Sequence, residues 1–126
     1  MKPELIRQYL KHTVLFKNLS AQQLETIIEN TTVRHVREGA TVHRKGDTAD
    51  TFDVVAVGEM ELLMEGEDSI KTIVGRVGPS GHFGETSLLT NKPQSLTIRA
   101  LCDAVLLCYS DRFFRRMLNE FRLVQE

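Results

Sequence analysis

The 126-residue chain has no tryptophan, two cysteines, three prolines and almost no net charge. Each shortage removes a class of function. Six Phe and two Tyr without Trp leave too few aromatics for base stacking to be its main business. Sixteen Lys and Arg against seventeen Asp and Glu give a net charge of −1, so bulk charge points neither to nucleic acid nor to an acidic membrane surface. No apolar run approaches the roughly 20 residues that span a bilayer. The first ten residues, M-K-P-E-L-I-R-Q-Y-L, carry charges among their apolar positions and no small-residue cleavage site, and do not read as a signal peptide. Cys102 and Cys108 fall six apart in a strand-like segment. At about 3.3 Å per residue that separation is roughly 20 Å, too far for a disulfide. Both are expected to be buried, reduced thiols in a cytoplasmic protein. The four histidines, His12, His35, His43 and His82, form no H-x-H or H-E-x-x-H pair. Neither a G-x-S-x-G nor a P-loop occurs, so no enzyme and no metal site is expected.

What is present suits one domain over 1–126. Apolar residues make up 41% and charged residues 26%, enough for a single core in a chain of this length. Residues 1–30 read as N-terminal helices. Pro3 precedes a helical spacing of Leu5, Ile6, Tyr9 and Leu10. Ser20 and Gln23 form a capping box ahead of Leu24, Ile27 and Ile28, with Phe16 and Leu19 as staples. From residue 31 the period becomes two. Strands are expected over 32–36, 41–44, 51–57, 59–64, 70–77, 95–100 and 104–109, separated by glycine turns. A sandwich or jelly roll follows over 31–110. Residues 111–126 close as a helix capped by Ser110, with Phe113, Phe114, Met117, Leu118 and Phe121 in one stripe beside Arg112, Arg115, Arg116 and Arg122.

The densest stretch is 81–100, G-H-F-G-E-T-S-L-L-T-N-K-P-Q-S-L-T-I-R-A. Two close glycines, one acid and a short apolar run lie between strand-like segments. This is a way to build an anion pocket, with backbone N–H groups at a helix start and a carboxylate beside them. The stretch resembles the phosphate-binding cassette of cyclic nucleotide-binding domains at Phe83, Gly84, Glu85, Ser87, Leu88, Leu89, Pro93, Thr97, Ile98 and Ala100. The run from Gly46 to Leu62 resembles the same family's G-D…G segment.

That resemblance implies an α+β fold: an eight-stranded antiparallel jelly roll, or double-stranded β-helix, flanked by N-terminal helices and a C-terminal helix, with the cassette at 81–97. It implies a non-enzymatic regulatory domain with cAMP or cGMP as ligand and no metal. Glu85 would accept a hydrogen bond from the ribose 2′-hydroxyl, and Gly84, Thr86 and Ser87 would offer backbone N–H groups to the phosphate. The family's arginine after the proline is Gln94 here, which supplies an amide and no charge. Ser95 would help hold a guanine or phosphate and leans the choice toward cGMP. Alternation puts Ser95 and Thr97 on one face and Leu96 and Ile98 on the other, and the sequence leaves open which faces the pocket. Val74 and Arg76, on the strand before the cassette, would line the base. The family's lid over the nucleotide would follow the last helix, and the chain ends at Glu126. An effector domain, a protein partner or a second copy, engaging the terminal helices, is the implied partner, with no direct nucleic-acid binding. Two other readings remain: an interaction domain with a vestigial pocket, and a cupin-type enzyme, which would need a clustered histidine–glutamate set.

Overall fold

In the computed structural model, which describes residues 1–121, the helical entry is built by local signals. Pro3 opens α1 (Pro3–Lys11) from an extended Lys2. Ile6 and Leu10 are buried, while Leu5, expected on the same stripe, is exposed. A 3-10 turn at Val14–Phe16 leads to α2 (Ala21–Glu29). Its capping box is complete: Gln23 N donates to Ser20 Oγ at 3.1 Å and Ser20 N donates to Gln23 Oε1 at 3.0 Å. Arg7 Nε donates to Glu25 Oε1 at 2.7 Å and ties the two helices together.

Eight strands follow: β1 (Thr32–Val36), β2 (Thr41–His43), β3 (Thr51–Val57), β4 (Met60–Glu65), β5 (Lys71–Val77), β6 (His82–Phe83), β7 (Thr97–Ala100) and β8 (Ala104–Ser110). The short helix α3 (Glu85–Thr90) lies between β6 and β7, and α4 (Asp111–Glu120) follows β8. The α+β jelly-roll architecture is as expected. Alternation alone gives seven strands; β6, at two residues, is too short to carry a period. The strands form two antiparallel sheets, ordered β1-β8-β3-β6 and β2-β7-β4-β5. These stack as a sandwich and do not join into a closed barrel among the described residues.

Two cores result. One lies between the sheets and includes Val55, Met60, Phe83, Ile98 and Leu106. The other lies between the first sheet and the helices and includes Leu10, Ile27, Phe52, Leu107, Phe114 and Met117. The strand β3 feeds both, so its residues 52–56 are all buried.

Two expectations need correction. Cys102 is exposed, because it sits in the 101–103 turn between β7 and β8 rather than on a strand. Cys108 is half-buried on β8, and burial, with Asp53 beside it, pushes its thiol pKa up. The C-terminal helix is α4 to Glu120; Arg122 and the rest of 122–126 lie outside the described residues. Ser110 caps it as expected, accepting from Phe113 N at 3.1 Å.

Candidate functional site

The turn from β6 into α3 is held by glycine chemistry. Gly84 has φ 96° and serves as the α3 N-cap. A Cβ there would stand 2.6 Å from Thr51 O and 3.2 Å from the His43 ring. Only glycine combines that backbone with that approach. Phe83, one residue earlier, is buried between the sheets and meets the His43 ring edge-on at 5.2 Å. His43 in turn holds Asp53: Nε2 and Oδ2 are 3.1 Å apart, with both side chains buried. Thr51 Oγ1 donates to the same Oδ2 at 3.0 Å. This polar contact pins β2 to β3 directly beneath the turn.

Above it lies an open cavity of about 320 Å³, at the small end of the roughly 300–1,000 Å³ typical of ligand pockets. Its polar wall is the cassette: His82, Gly84, Glu85, Thr86, Ser87 and Gln94. Its apolar wall includes Leu62, Leu96 and Ile98, with Leu62 and Ile98 opposite each other on β4 and β7. The face left open by alternation is thereby decided: Leu96 and Ile98 look into the cavity, while the buried Thr97 turns away and accepts from Lys45 N at 3.2 Å. Ser95 reaches the rim.

Glu85 opens α3, where the first N–H groups have no intrahelical partners. Its Oε1 is 3.3 Å from His82 Nδ1. Its Oε2 is buried and accepts no hydrogen bond among the described residues. Burial pushes the carboxyl pKa up. The hydrogen bond with His82, one from its own backbone and the charge of His82 outweigh burial and hold it below the ordinary value. The site therefore presents an ionised carboxylate with one oxygen engaged and one available.

Gln94 is buried and lines the cavity. Its backbone is fixed by the turn after β2: Gln94 N donates to Asp47 O at 2.9 Å and Gly46 N donates to Gln94 O at 2.8 Å. No lysine or arginine is among the described residues that line the cavity. Lys92 is exposed and lines a separate hollow beside α4. Arg99 is drawn to the buried Glu61. Val74 and Arg76 stand on β5 away from the cavity lining; Val74 is exposed, and the Arg76 guanidinium lies 3.9 Å from Glu59. The structure thus brings together Phe83, Gly84, Glu85, Thr86, Ser87, Gln94 and Ser95, and leaves Thr97, Val74 and Arg76 outside.

Sequence reasoning passed over His82 and Leu62. The signal for His82 was its i, i+3 spacing to Glu85 across the helix start. For Leu62 no local signal existed, since its approach to Ile98 depends on sheet pairing.

Residues 33–121 match the model of the cyclic nucleotide-binding domain. The chain belongs to that family. Curated relatives of this cyclic nucleotide-binding domain include an uncharacterised ABC transporter ATP-binding protein of Mycobacterium tuberculosis, 33% identical over 89 residues, covering 71% of this chain and 27% of the relative. Another is a cAMP-dependent protein kinase regulatory subunit of Blastocladiella emersonii, 28% identical over 115 residues, covering 91% of this chain and 28% of the relative. The domain thus spans little more than a quarter of either protein. Among solved structures, cAMP-bound PfPKA-R superposes with a TM-score of 0.82 at 26% identity, covering 90% of this chain and 40% of that one. The regulatory subunit of a cAMP-independent protein kinase A from Trypanosoma cruzi, bound to guanosine, shares the fold with a TM-score of 0.87 at 17% identity, over 94% of this chain and 42% of that one. The family is one of regulatory binding domains rather than catalysts. No helix among the described residues is long and apolar enough to cross a membrane.

Proposed function

We propose that this domain is a non-enzymatic sensor of a purine nucleotide or nucleoside, with ribose on Glu85 and any cyclic phosphate on the Gly84–Ser87 turn. The observation that carries the reading is the Glu85 carboxylate, ionised, with a buried Oε2 left without a donor at the cavity wall. A ribose hydroxyl is a donor that satisfies it. Gly84 supports the phosphate half of the reading, because it caps α3 with no side chain of its own and lines the cavity together with Glu85, Thr86 and Ser87, the first turn of that helix.

Gln94 sets the ligand's charge preference. A charge-assisted hydrogen bond contributes about 1.5–3 kcal/mol and a neutral one about 1 kcal/mol. Replacing the family arginine by an amide should weaken cAMP or cGMP by about tenfold or more. The absence of any lysine or arginine from the described lining residues favours a second reading, in which the ligand is an uncharged purine nucleoside. The guanosine in the Trypanosoma cruzi structure is a ligand of that kind.

Binding would be reported through α4. Arg115 Nη2 donates to Leu88 O at 3.0 Å and to Asn91 Oδ1 at 2.7 Å, so α4 holds the far end of the cassette helix. A ligand that moves α3 biases α4, and through it an effector domain or partner.

Calorimetric titration with cAMP, cGMP, adenosine and guanosine tests both readings. Saturation by a cyclic nucleotide below about 100 μM supports the first. Saturation by a nucleoside alone supports the second. Gln94→Arg should gain at least about tenfold for cAMP. No binding of any of the four by the folded wild type or by Gln94→Arg would leave an interaction domain with a filled pocket.

A further inference from the structure

We propose that His82 is the positioning residue for Glu85 and the counter-charge of the cavity, so that an anionic nucleotide binds more tightly when the imidazole is protonated. The inference rests on the nucleotide reading of this cavity and adds proton regulation to it.

The geometry divides the Glu85 carboxylate between two tasks. His82 Nδ1 stands 3.3 Å from Oε1, and Oε2 remains for the ligand. Both side chains line the cavity. The imidazole is itself backed by a rigid wall. Its ring packs on Phe52 at 5.6 Å between centroids, and Phe52 is wedged against Phe16, Tyr109 and Phe114 at 6.4, 6.0 and 4.9 Å. A ring held this way fixes the direction in which Glu85 points.

Charge gives the second half. Among the described residues lining the cavity, Glu85 is the acid and His82 is the one side chain able to carry positive charge. With a neutral imidazole these described lining residues carry −1; with a protonated one they carry zero. A cyclic phosphate is a monoanion across this range and meets repulsion in the first state alone. The other titratable groups near it, among the described residues, lie outside the cavity lining. On β2 and β3, His43 and Asp53 pair with each other behind Phe83. On β8, Tyr109 packs on Phe52 and accepts from Thr31 Oγ1. Cys108 beside Asp53 has its thiol pKa pushed up by burial, and Arg115 of α4 is bound to α3. None of these lines the cavity, so among the described lining residues the charge is set by Glu85 and His82; imidazole is the side chain whose charge changes within the physiological pH range.

The test compares cAMP with adenosine by calorimetry from pH 5.5 to 8.5, in the wild type and in His82→Asn, which keeps an N–H donor near the Nδ1 position without a titrating charge. Wild-type affinity for cAMP should fall by about tenfold over that range, adenosine affinity should fall much less, and His82→Asn should lose the slope. A cAMP slope that survives in His82→Asn, or equals that of adenosine, overturns the counter-charge role. A ligand-free arm follows the His82 ring by NMR in the wild type and in Glu85→Gln. Its titration midpoint should drop in Glu85→Gln, since the carboxylate supports the cation; an unchanged midpoint overturns the positioning role even where ligands bind. Failure of every ligand at every pH, with the midpoint shift intact, would instead defeat the nucleotide reading and the regulatory role with it, leaving the pair as a structural contact.

Discussion

The strands β3 and β5 each run seven residues, and they end up in opposite environments. β3 is central in its sheet, paired with β6 and β8, and residues 52–56 are buried. Among the described residues β5 is an edge strand paired only with β4, and Ile73 and Val74 are about half exposed, as are Ile70 and Met64 beside them. The difference separates two kinds of site residue. Those anchored on or against β3 are held to a fixed geometry: Phe83, Gly84, and His82 on its Phe52 backing. Those on β5, Val74 and Arg76, have few neighbours to fix them. A carboxylate that must meet one hydroxyl needs the first environment; an adaptable lip around a ligand can use the second.

Truncation at matched positions should expose this contrast most sharply. Phe52→Ala removes the ring that contacts Phe16, His82, Tyr109 and Phe114, and should cost about 3–5 kcal/mol in denaturant unfolding. Val74→Ala on β5 should stay within about 0.5 kcal/mol. Comparable losses at the two positions would show that β5 is covered by something in solution.

Most of the fold and part of the site were readable in the chain. Local chemistry was read well: the Ser20–Gln23 box, the Ser110 cap and the Gly84-Glu85 turn all depend on neighbours within a few residues. Readings that depended on partners distant in sequence fared worse. Cys102 reads as part of one strand-like segment with Cys108 but falls in a turn whose position is set by the pairing of β7 and β8 with other strands. The His43–Asp53 contact joins residues ten apart on different sheets and has no local signature. Whether Leu96 or Thr97 faced inward could not be settled by alternation, because period two fixes opposition of faces and not which face is covered. The packing of one sheet on the other settles it, with Ile98 buried against Phe83 and Leu106 and Leu96 beside it on the cavity wall.

A second comparison separates glycines that bend from glycines that also make room. Gly39 and Gly84 both have positive φ, 84° and 96°. Around Gly39 a Cβ would meet nothing within 4 Å, whereas at Gly84 it would meet Thr51 O at 2.6 Å. Gly39→Ala should therefore cost about 1–2 kcal/mol, the ordinary left-handed penalty. Gly84→Ala should cost more, about 2–4 kcal/mol, because backbone must also shift. The extra loss should appear in ligand affinity as well, since the turn itself moves. Equal costs at the two sites would mean that Thr51 yields freely and that β3 is less rigid than its burial implies.

The smallest expected effect concerns acid, and it tests whether Glu85 is as ionised as its surroundings demand. Its carboxyl is held below the ordinary value in the folded state, since the His82 and backbone contacts outweigh the opposing effect of burial. A depressed carboxylate contributes stability that is present above its unfolded value, near 4.3, and is lost as pH falls through the folded one. Wild-type unfolding followed from pH 6 to pH 3 should therefore show a loss that Glu85→Gln lacks, because an amide binds no proton there. The two curves should converge toward the acid end and separate above pH 5, with the wild type the more stable. Parallel curves would mean that Glu85 titrates alike folded and unfolded. The rigid wall on β3 would then fix the backbone of the turn without fixing the carboxylate that the site depends on.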